Sequence, residues 1–576
     1  MLSFVMVLGV VTALVVPSAQ VVFLPPDSRE TETSFWMEHG LREIKEALHQ
    51  PRITNKAKNV ILFLGDGMGV TAATVGRILK GQKKGNSGEE GSLVWDRFSN
   101  IALLKTYNLD RQVPDSAATA TAFLAGVKAN YYTVGVNGHV KMKDCPASIV
   151  PENQVDTIIK WAQDAGKDTG VVTTAQVTHA TPAAAYAKSP FRYWQCDTKM
   201  MADGNQTLPC KDIARQLVED EPGRNLKVIM GGGRQEMGAG LEPDAEKKCV
   251  RSDGRNLVTE WQQAKAAEGA STAYLTTTED LMNVDPKNTD YIMGLFGDLH
   301  VPYEMDRDTS PQGAPHLKEM VKVAIKKLKR NHNGFFLMVE GGRIDHALHH
   351  AMPRRALEEL LAMEEAVQET MEEVDLEETL VVVTADHSHV MTMNGYPVRG
   401  NDIFGKVMNE DDVSDHLPYT TLMFTNGEGF NYTWDGQEVV RRNLTGVDTT
   451  DKEFRPLAAV PTYKGSETHG GEDVAVYAHG PMAHLFHRVH EQSYVAHVMA
   501  YSACIGPYTD CDRPKNTHYK HINHHNHGHN VDDDDGHNKA YYSQGGDGNG
   551  GGAVVLSSGA AVMSCVAVMV MKMAWW

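Results

Sequence analysis

The stretch LVVVTADHSH, Leu380 to His389, limits the fold more than any other. Its run of Leu380, Val381, Val382 and Val383 has no polar alternation, which reads as a strand buried on both faces in a parallel sheet covered by helices. The run then stops in Asp386, His387, Ser388 and His389. Ligands of open α/β sheets bind beyond the carboxyl ends of the strands, so this is where chemistry would be placed; the alternative is a polar loop that caps a strand. The pattern recurs: Val60 to Leu64 runs into Asp66 in GDGMGV, TGVVTT precedes His179, and GFFLMV precedes Glu340. Helical stretches such as EMVKVAIKKLKR and AAVQETMEEV lie between the strands. Alternation of this kind predicts an α/β fold, a three-layer sandwich with a central, largely parallel β-sheet flanked by helices. ETETSFWMEHGLREIKEALHQ reads as an amphipathic helix before the core. Residues 395–465, rich in Gly, Asn, Asp and Thr, read as a small inserted crown-like subdomain or an elaborate loop.

If the four strands are neighbours, Asp66, His179, Glu340, Asp386 and His387 converge on one sheet edge. Asp345 and His349, spaced i,i+4, share one face of a helical turn, and Pro353 predicts a new helix soon after it. His469 in SETHGGED is a further candidate, although a lone histidine there is more often a surface residue. These residues exceed what one zinc needs. Mixed His/Asp ligation suits zinc and all-oxygen ligation suits magnesium or calcium, so the set reads as two zinc ions beside a harder ion. Two metals about 4 Å apart stabilise both the attacking and the leaving oxygen of an in-line displacement at phosphorus.

A nucleophile candidate stands in VPDSAATATAFLAG. The Ala/Thr run after Ser116 reads as a buried helix whose first amides and dipole form an anion site at the serine. The plain alternative is that Asp115 or Ser116 only caps that helix. Metal coordination would activate a serine that is otherwise a weak nucleophile. Arg192 in SPFRYWQCD can fork onto two phosphoryl oxygens, although a lone loop arginine is usually a surface charge. GDGMGV lacks the full G-x-G-x-x-G spacing, so a dinucleotide loop is rejected.

The formal net charge of -19 and the lack of a Lys/Arg block exclude nucleic acid as the partner. Residues 1–19 form an apolar run ending in small residues, a secretory signal. The catalytic region is then 20–513, followed by a His/Asp/Gly-rich stalk at 514–550. The tail 551–576 reads as a GPI-attachment propeptide with its site at Asn549, the alternative being a membrane-spanning helix. This places the chain on the extracellular face of the plasma membrane. Six cysteines remain outside the tail. Cys504 and Cys511 are near enough in sequence to close a small loop, while Cys145, Cys196, Cys210 and Cys249 allow three pairings. Asn205, Asn431 and Asn443 lie in N-glycosylation sequons.

Six motifs in order, NVILFLGDGMG, VPDSAATATAFLAGVKAN, GVVTTAQVTHATPAAAYA, GFFLMVEGGRIDH, VTADHSHV and ETHGGEDVAVYAHGP, resemble the metazoan GPI-anchored alkaline phosphatases over nearly the whole chain. The resemblance implies broad hydrolysis of phosphate monoesters through a phosphoserine at Ser116. One zinc would lie on Asp66, Ser116, Asp386 and His387, the leaving-group zinc on Asp345, His349 and His469, and magnesium on Asp66, Thr181 and Glu340. Arg192 would clamp the phosphate, with Asp115, His179, His346 and His389 supporting these ligands. The resemblance also implies a homodimer embraced by the N-terminal helix, with Tyr396 reaching the neighbouring site, and bridges Cys145–Cys210 and Cys504–Cys511. A third bridge, Cys196–Cys249, is our own expectation. Vertebrate members add a calcium-type site. Glu246 and the Phe296 carbonyl can be placed there, but Gly297 stands where a glutamate is expected and Asp298 is only a substitute, so occupancy is not expected. Two rivals remain: a diesterase or sulfatase on the same scaffold, and an inactive metal-binding surface protein that works through its His/Asp tail.

Overall fold

The computed structural model describes residues 27–204, 209–240, 248–407, 413–462 and 465–511. The signal, stalk and anchor expectations, with Asn205, Glu246 and Asn549, therefore lie outside the described residues.

Ten strands form one sheet: β1 (Asn59–Gly65), β2 (Asn100–Lys105), β3 (Asp168–Gln176), β4 (Val228–Gly232), β5 (Thr272–Leu275), β6 (Tyr291–Leu295), β7 (Phe335–Gly341), β8 (Thr379–Ala385), β9 (Val474–His479) and β10 (Val489–Glu491). Their order is β10-β2-β9-β8-β1-β7-β3-β4-β6-β5. From β8 to β5 every pairing is parallel, while β9 runs antiparallel to both β8 and β2. This is the mostly parallel, helix-flanked sheet that the uninterrupted apolar runs require. All seven residues of β7 and of β8 are buried. Each fully buried Val or Leu contributes roughly 1.5–3 kcal/mol, so the centre of the sheet is the main source of stability.

The register decides where the chemistry falls. Leu64 pairs with Glu340 and Thr384, Gly65 with Gly341 and Ala385, and Thr173 with Glu340. β8, β1 and β7 thus end at the same level, and β3 runs beside β7 to that level and two residues beyond it. Asp66, Asp386 and His387 follow directly, with Glu340 the next-to-last residue of β7.

Short helices carry the remaining groups. Ser116 opens the buried helix Ser116–Ala125, and Asp345 and His349 share Arg343–His349. A new helix, Pro353–Glu373, starts on its proline, where the missing N–H costs nothing. Between Met391 and Val460 the chain makes three small sheets: Met391–Met393 with Leu422–Asn426 and Ala458–Val460, Lys406–Val407 with Tyr419–Thr420, and Tyr432–Trp434 with Val439–Arg441. A separate two-residue pairing sets His469 against His389 and returns the later loop to the sheet edge. The N-terminal helix Thr33–His49 buries none of its residues within the chain. Disulfides join Cys145 to Cys210, Cys196 to Cys249, and Cys504 to Cys511.

Candidate active site

Asp115 is the N-cap of the Ser116 helix, its Oδ2 accepting the Ala117 N–H at 3.1 Å. It is more than a cap. Its Oδ1 also accepts from Asn108 Nδ2 at 3.1 Å and from the Tyr132 N–H at 2.9 Å, and Arg192 Nη1 donates to Oδ2 at 3.3 Å. The carboxylate thus caps the helix and also ties together Asn108, Tyr132 and Arg192. Arg192 is buried and donates its other arm to His179 Nε2 at 3.3 Å. A guanidinium can only donate, so His179 must accept, which requires a neutral ring. Burial, helped by the Arg192 charge, pulls the His179 pKa down to about 3.

The histidine tautomers follow from their second contacts. His349 Nδ1 lies 2.6 Å from the Glu467 carbonyl oxygen, and His469 Nδ1 lies 2.8 Å from that of Pro114. Both Nδ1 atoms therefore carry the proton, and both Nε2 atoms present lone pairs. These two Nε2 atoms face each other at 3.0 Å, with Asp345 Oδ1 at 3.3 and 3.4 Å from them. With both rings neutral, two lone pairs and a carboxylate at this range have no donor between them. A cation resolves that arrangement.

The nucleophile side repeats the logic. His387 Nδ1 sits 3.3 Å from the Ser388 carbonyl, and its Nε2 faces Ser116 Oγ at 3.1 Å, Asp386 Oδ2 at 3.1 Å and Asp66 Oδ1 at 3.6 Å. Gly67 lets the loop close here. Its φ is +74°, a Cβ would meet His389 at 2.5 Å, and its N–H donates to Asp386 Oδ1 at 2.9 Å.

Buried oxygens are left without partners in the same place: both of Asp66, Oδ2 of Asp386, Oε1 of Glu340 and the hydroxyl of Thr181. Leaving such groups unpaired costs roughly 1–3 kcal/mol each, and more when charged. Burial first, then the neighbouring Asp345, Asp386 and Glu340, lifts the Asp66 pKa well above the carboxylate range, and burial pushes Glu340 up to about 7. The donor atoms of Asp66, Asp386 and His387 lie within 4.8 Å of one another, as do those of Asp345, His387, His389 and His469. The chemistry of the set fits divalent cations: nitrogen and carboxylate donors on one side, and oxygens alone at Asp66, Thr181 and Glu340.

His389 stands apart from the ligand pattern, because both its nitrogens already face carboxylates, Glu467 at 2.5 Å and Asp345 at 2.8 Å. His346 Nδ1 accepts from Arg343 at 3.2 Å, and its ring lies 4.2 Å from that of His300 and 5.1 Å from that of His179. The sequence reading missed His300, for which no local signal exists. It also missed Glu467, whose place two residues before His469 was a usable hint, and Tyr131, Tyr132 and Tyr193, which line the cavity of about 750 Å³ above Ser116. Other candidates lie elsewhere. Asp298 pairs with Arg234 at 2.7 Å, Tyr396 is 81% exposed, and Asn431 and Asn443 are on the surface.

The alkaline phosphatase family model matches residues 57–505. Among curated relatives, an alkaline phosphatase of Gadus morhua is 47% identical, the match covering 83% of this chain and 98% of that protein. The tissue-nonspecific isozyme of Homo sapiens is 46% identical over 83% and 90% of the two chains, and a membrane-bound alkaline phosphatase of Bombyx mori 42% over 83% and 86%. Among solved structures, the Thermus thermophilus alkaline phosphatase has a TM-score of 0.54 at 23% identity, covering 79% of this chain and 93% of that one. That last likeness concerns the fold.

Proposed function

The chain belongs to the alkaline phosphatase family, and we propose that it hydrolyses phosphate monoesters of broad structure through a phosphoserine at Ser116. The observation that carries this reading is Ser116 Oγ, at a buried helix N-terminus, 3.1 Å from His387 Nε2 and beside partnerless carboxylate oxygens.

Ser116 Oγ gives up its proton and attacks phosphorus while the bond to the leaving oxygen breaks and that oxygen takes a proton from solvent. Water then attacks the phosphoserine, the P–Oγ bond breaks, and inorganic phosphate leaves as the serine regains a proton. Zinc ions on Asp66, Asp386 and His387 and on Asp345, His349 and His469, with magnesium on Asp66, Thr181 and Glu340, would supply Lewis acidity for the attacking and leaving oxygens. The helix amides and dipole at Ser116 favour the phosphoryl charge. Arg192, aligned by Asp115 and by neutral His179, offers its fork to two phosphoryl oxygens and strengthens its hold as charge develops. His389 and Glu467 hold Asp345 in place, and His346 packs behind His179.

We further read the chain as a glycosylated homodimer tethered outside the cell by a GPI anchor at Asn549, its catalytic region ending near 513. Support comes from the exposed Trp36, Met37, Leu41, Ile44 and Leu48 on the otherwise unburied N-terminal helix, which offer an apolar stripe to a second copy. The Bombyx mori relative is described as membrane-bound, and among the described residues no helix is long and apolar enough to cross a membrane.

The test is hydrolysis of an aryl phosphate by wild type and Ser116→Ala, with metal content measured on both and acid-quenched phosphoenzyme sought in the wild type. Full activity in the variant would sink the mechanism.

A further inference from the structure

One wall of the cavity above Ser116 is aromatic. The rings of Tyr131 and Tyr132 stack at 3.8 Å, Tyr193 meets Tyr132 edge-on at 5.4 Å, and Phe191 backs Tyr132 at 6.0 Å. The Arg192 guanidinium carbon lies 5.9 Å from the Tyr132 ring and 5.6 Å from that of Tyr193. The three tyrosines line the same cavity as Ser116, Arg192 and His349.

Tyr132 is held in an uncommon backbone conformation, φ +66°, which bulky residues rarely adopt. Two hydrogen bonds fix it there: its N–H donates to Asp115 Oδ1 at 2.9 Å, and its carbonyl accepts the Arg192 N–H at 2.9 Å. Strain of this kind persists where the surroundings over-determine it, and it clusters at functional sites. The wall is thus tied through the backbone to the two residues that bracket the nucleophile. Tyr193 remains 44% exposed, so aromatic surface is open to the cavity. Burial pushes the Tyr132 hydroxyl up to about 12 and raises that of Tyr131, which keeps both phenols neutral beside a phosphate dianion in alkaline solution.

We propose that Tyr131, Tyr132 and Tyr193 form a leaving-group subsite that favours phosphate monoesters carrying a planar aromatic ring, either arylalkyl or nucleoside, over saturated ones. This rests on the monoesterase reading of Ser116. Stacking on the exposed Tyr193 and the half-buried Tyr131–Tyr132 pair supplies the preference, because every planar ring presents a π-face.

The experiment compares kcat/KM on two pairs of esters that share a primary alkoxide leaving oxygen: benzyl against cyclohexylmethyl phosphate, and adenosine 5′-monophosphate against ribose 5-phosphate. In Tyr131→Ala/Tyr193→Ala the planar member of each pair should lose about tenfold relative to its partner, the size expected for one lost stacking contact. Each single variant should give part of that change, and Tyr193→Phe, which keeps the ring, should retain the wild-type ratio. Unchanged ratios in the double variant would overturn the proposal. So would an equal fall on all four esters, which would make the wall only a support for Arg192. A wild type inert on all four would overturn the monoesterase reading itself, and the subsite with it.

Discussion

Glu467 Oε2 lies 2.5 Å from His389 Nδ1, and the backbone carbonyl of the same glutamate lies 2.6 Å from His349 Nδ1. One residue therefore fixes two histidines: His349 as a neutral ring whose Nε2 lone pair is turned to the space beside Asp345 and His469, and His389 as a cation between two carboxylates. Burial draws His389 down, but Glu467 and Asp345 outweigh it and lift its pKa to about 10. The glutamate is itself buried, and its second oxygen accepts the Val390 N–H at 2.7 Å.

Glu467→Gln removes the charge that holds His389 protonated and so loosens Asp345. Zinc affinity, measured by competition with a chromogenic chelator, should fall about 10–100-fold, the usual effect of losing a group that orients metal ligands. The circular dichroism of the metal-loaded protein should stay that of the wild type. Wild-type zinc affinity in the variant would refute this role.

Arg192→Lys keeps a positive charge but loses the planar fork that reaches both Asp115 and His179. The kcat/KM for an aryl phosphate should fall by about 10²-fold, the scale seen when one preorganised donor is lost. Inhibition by inorganic phosphate should weaken in parallel. A variant within twofold of wild type on both measures would remove Arg192 from the proposed mechanism.

Glu359, buried on the helix Pro353–Glu373, accepts the Glu304 N–H at 2.5 Å, and burial pushes its pKa up from 4.5 to about 7. Its folded-state pKa is above the unfolded one, so the native state holds the proton more tightly and stability falls as pH rises from 4.5 through 7. Glu359→Gln keeps an acceptor and removes the titration. The melting temperature should rise in the variant at pH 8, by the equivalent of about 3 kcal/mol, and match wild type at pH 4. The same increment at both pH values would show that the carboxyl is not the cause.

The Cys196–Cys249 bridge closes a separation of 53 residues and anchors the segment just after Arg192. Cys196→Ser/Cys249→Ser should lower unfolding stability in urea by about 2–4 kcal/mol, since the unfolded chain regains the freedom the bridge removes. An unchanged midpoint would show that the bridge contributes nothing under those conditions.

The strand ends were legible because they depend on local chemistry. An apolar run that stops in Asp386 and His387 marks a buried strand delivering ligands to a sheet edge, and the i,i+4 pair Asp345 and His349 needs only one helical turn. The resemblance of six ordered motifs, matched by the family model over residues 57–505, then fixed the family. Glu467 had only its nearness to His469 to mark it and His300 had no mark at all, since each acts across a loop contact far away in the chain: Glu467 on His389, and His300 on His346 and on the Gln176 N–H at 3.2 Å. The tyrosine wall was equally hidden, with Tyr131 and Tyr132 in one loop and Tyr193 in another. Asp298, a candidate calcium ligand by sequence, pairs with Arg234 at 2.7 Å, a partner that no local pattern announces.

By itself the sequence determined the α/β class, the strands and the residue types gathered at their ends, because burial periodicity and ligand chemistry are local properties of the chain. Only the tertiary structure decided the register that levels the ends of β8, β1 and β7 beside β3, which nitrogen of each histidine carries a proton, and which carboxylates pair with a side chain and which stay open. Those outcomes depend on hydrogen bonds between segments as far apart as Pro114 and His469, whose meeting no local pattern encodes.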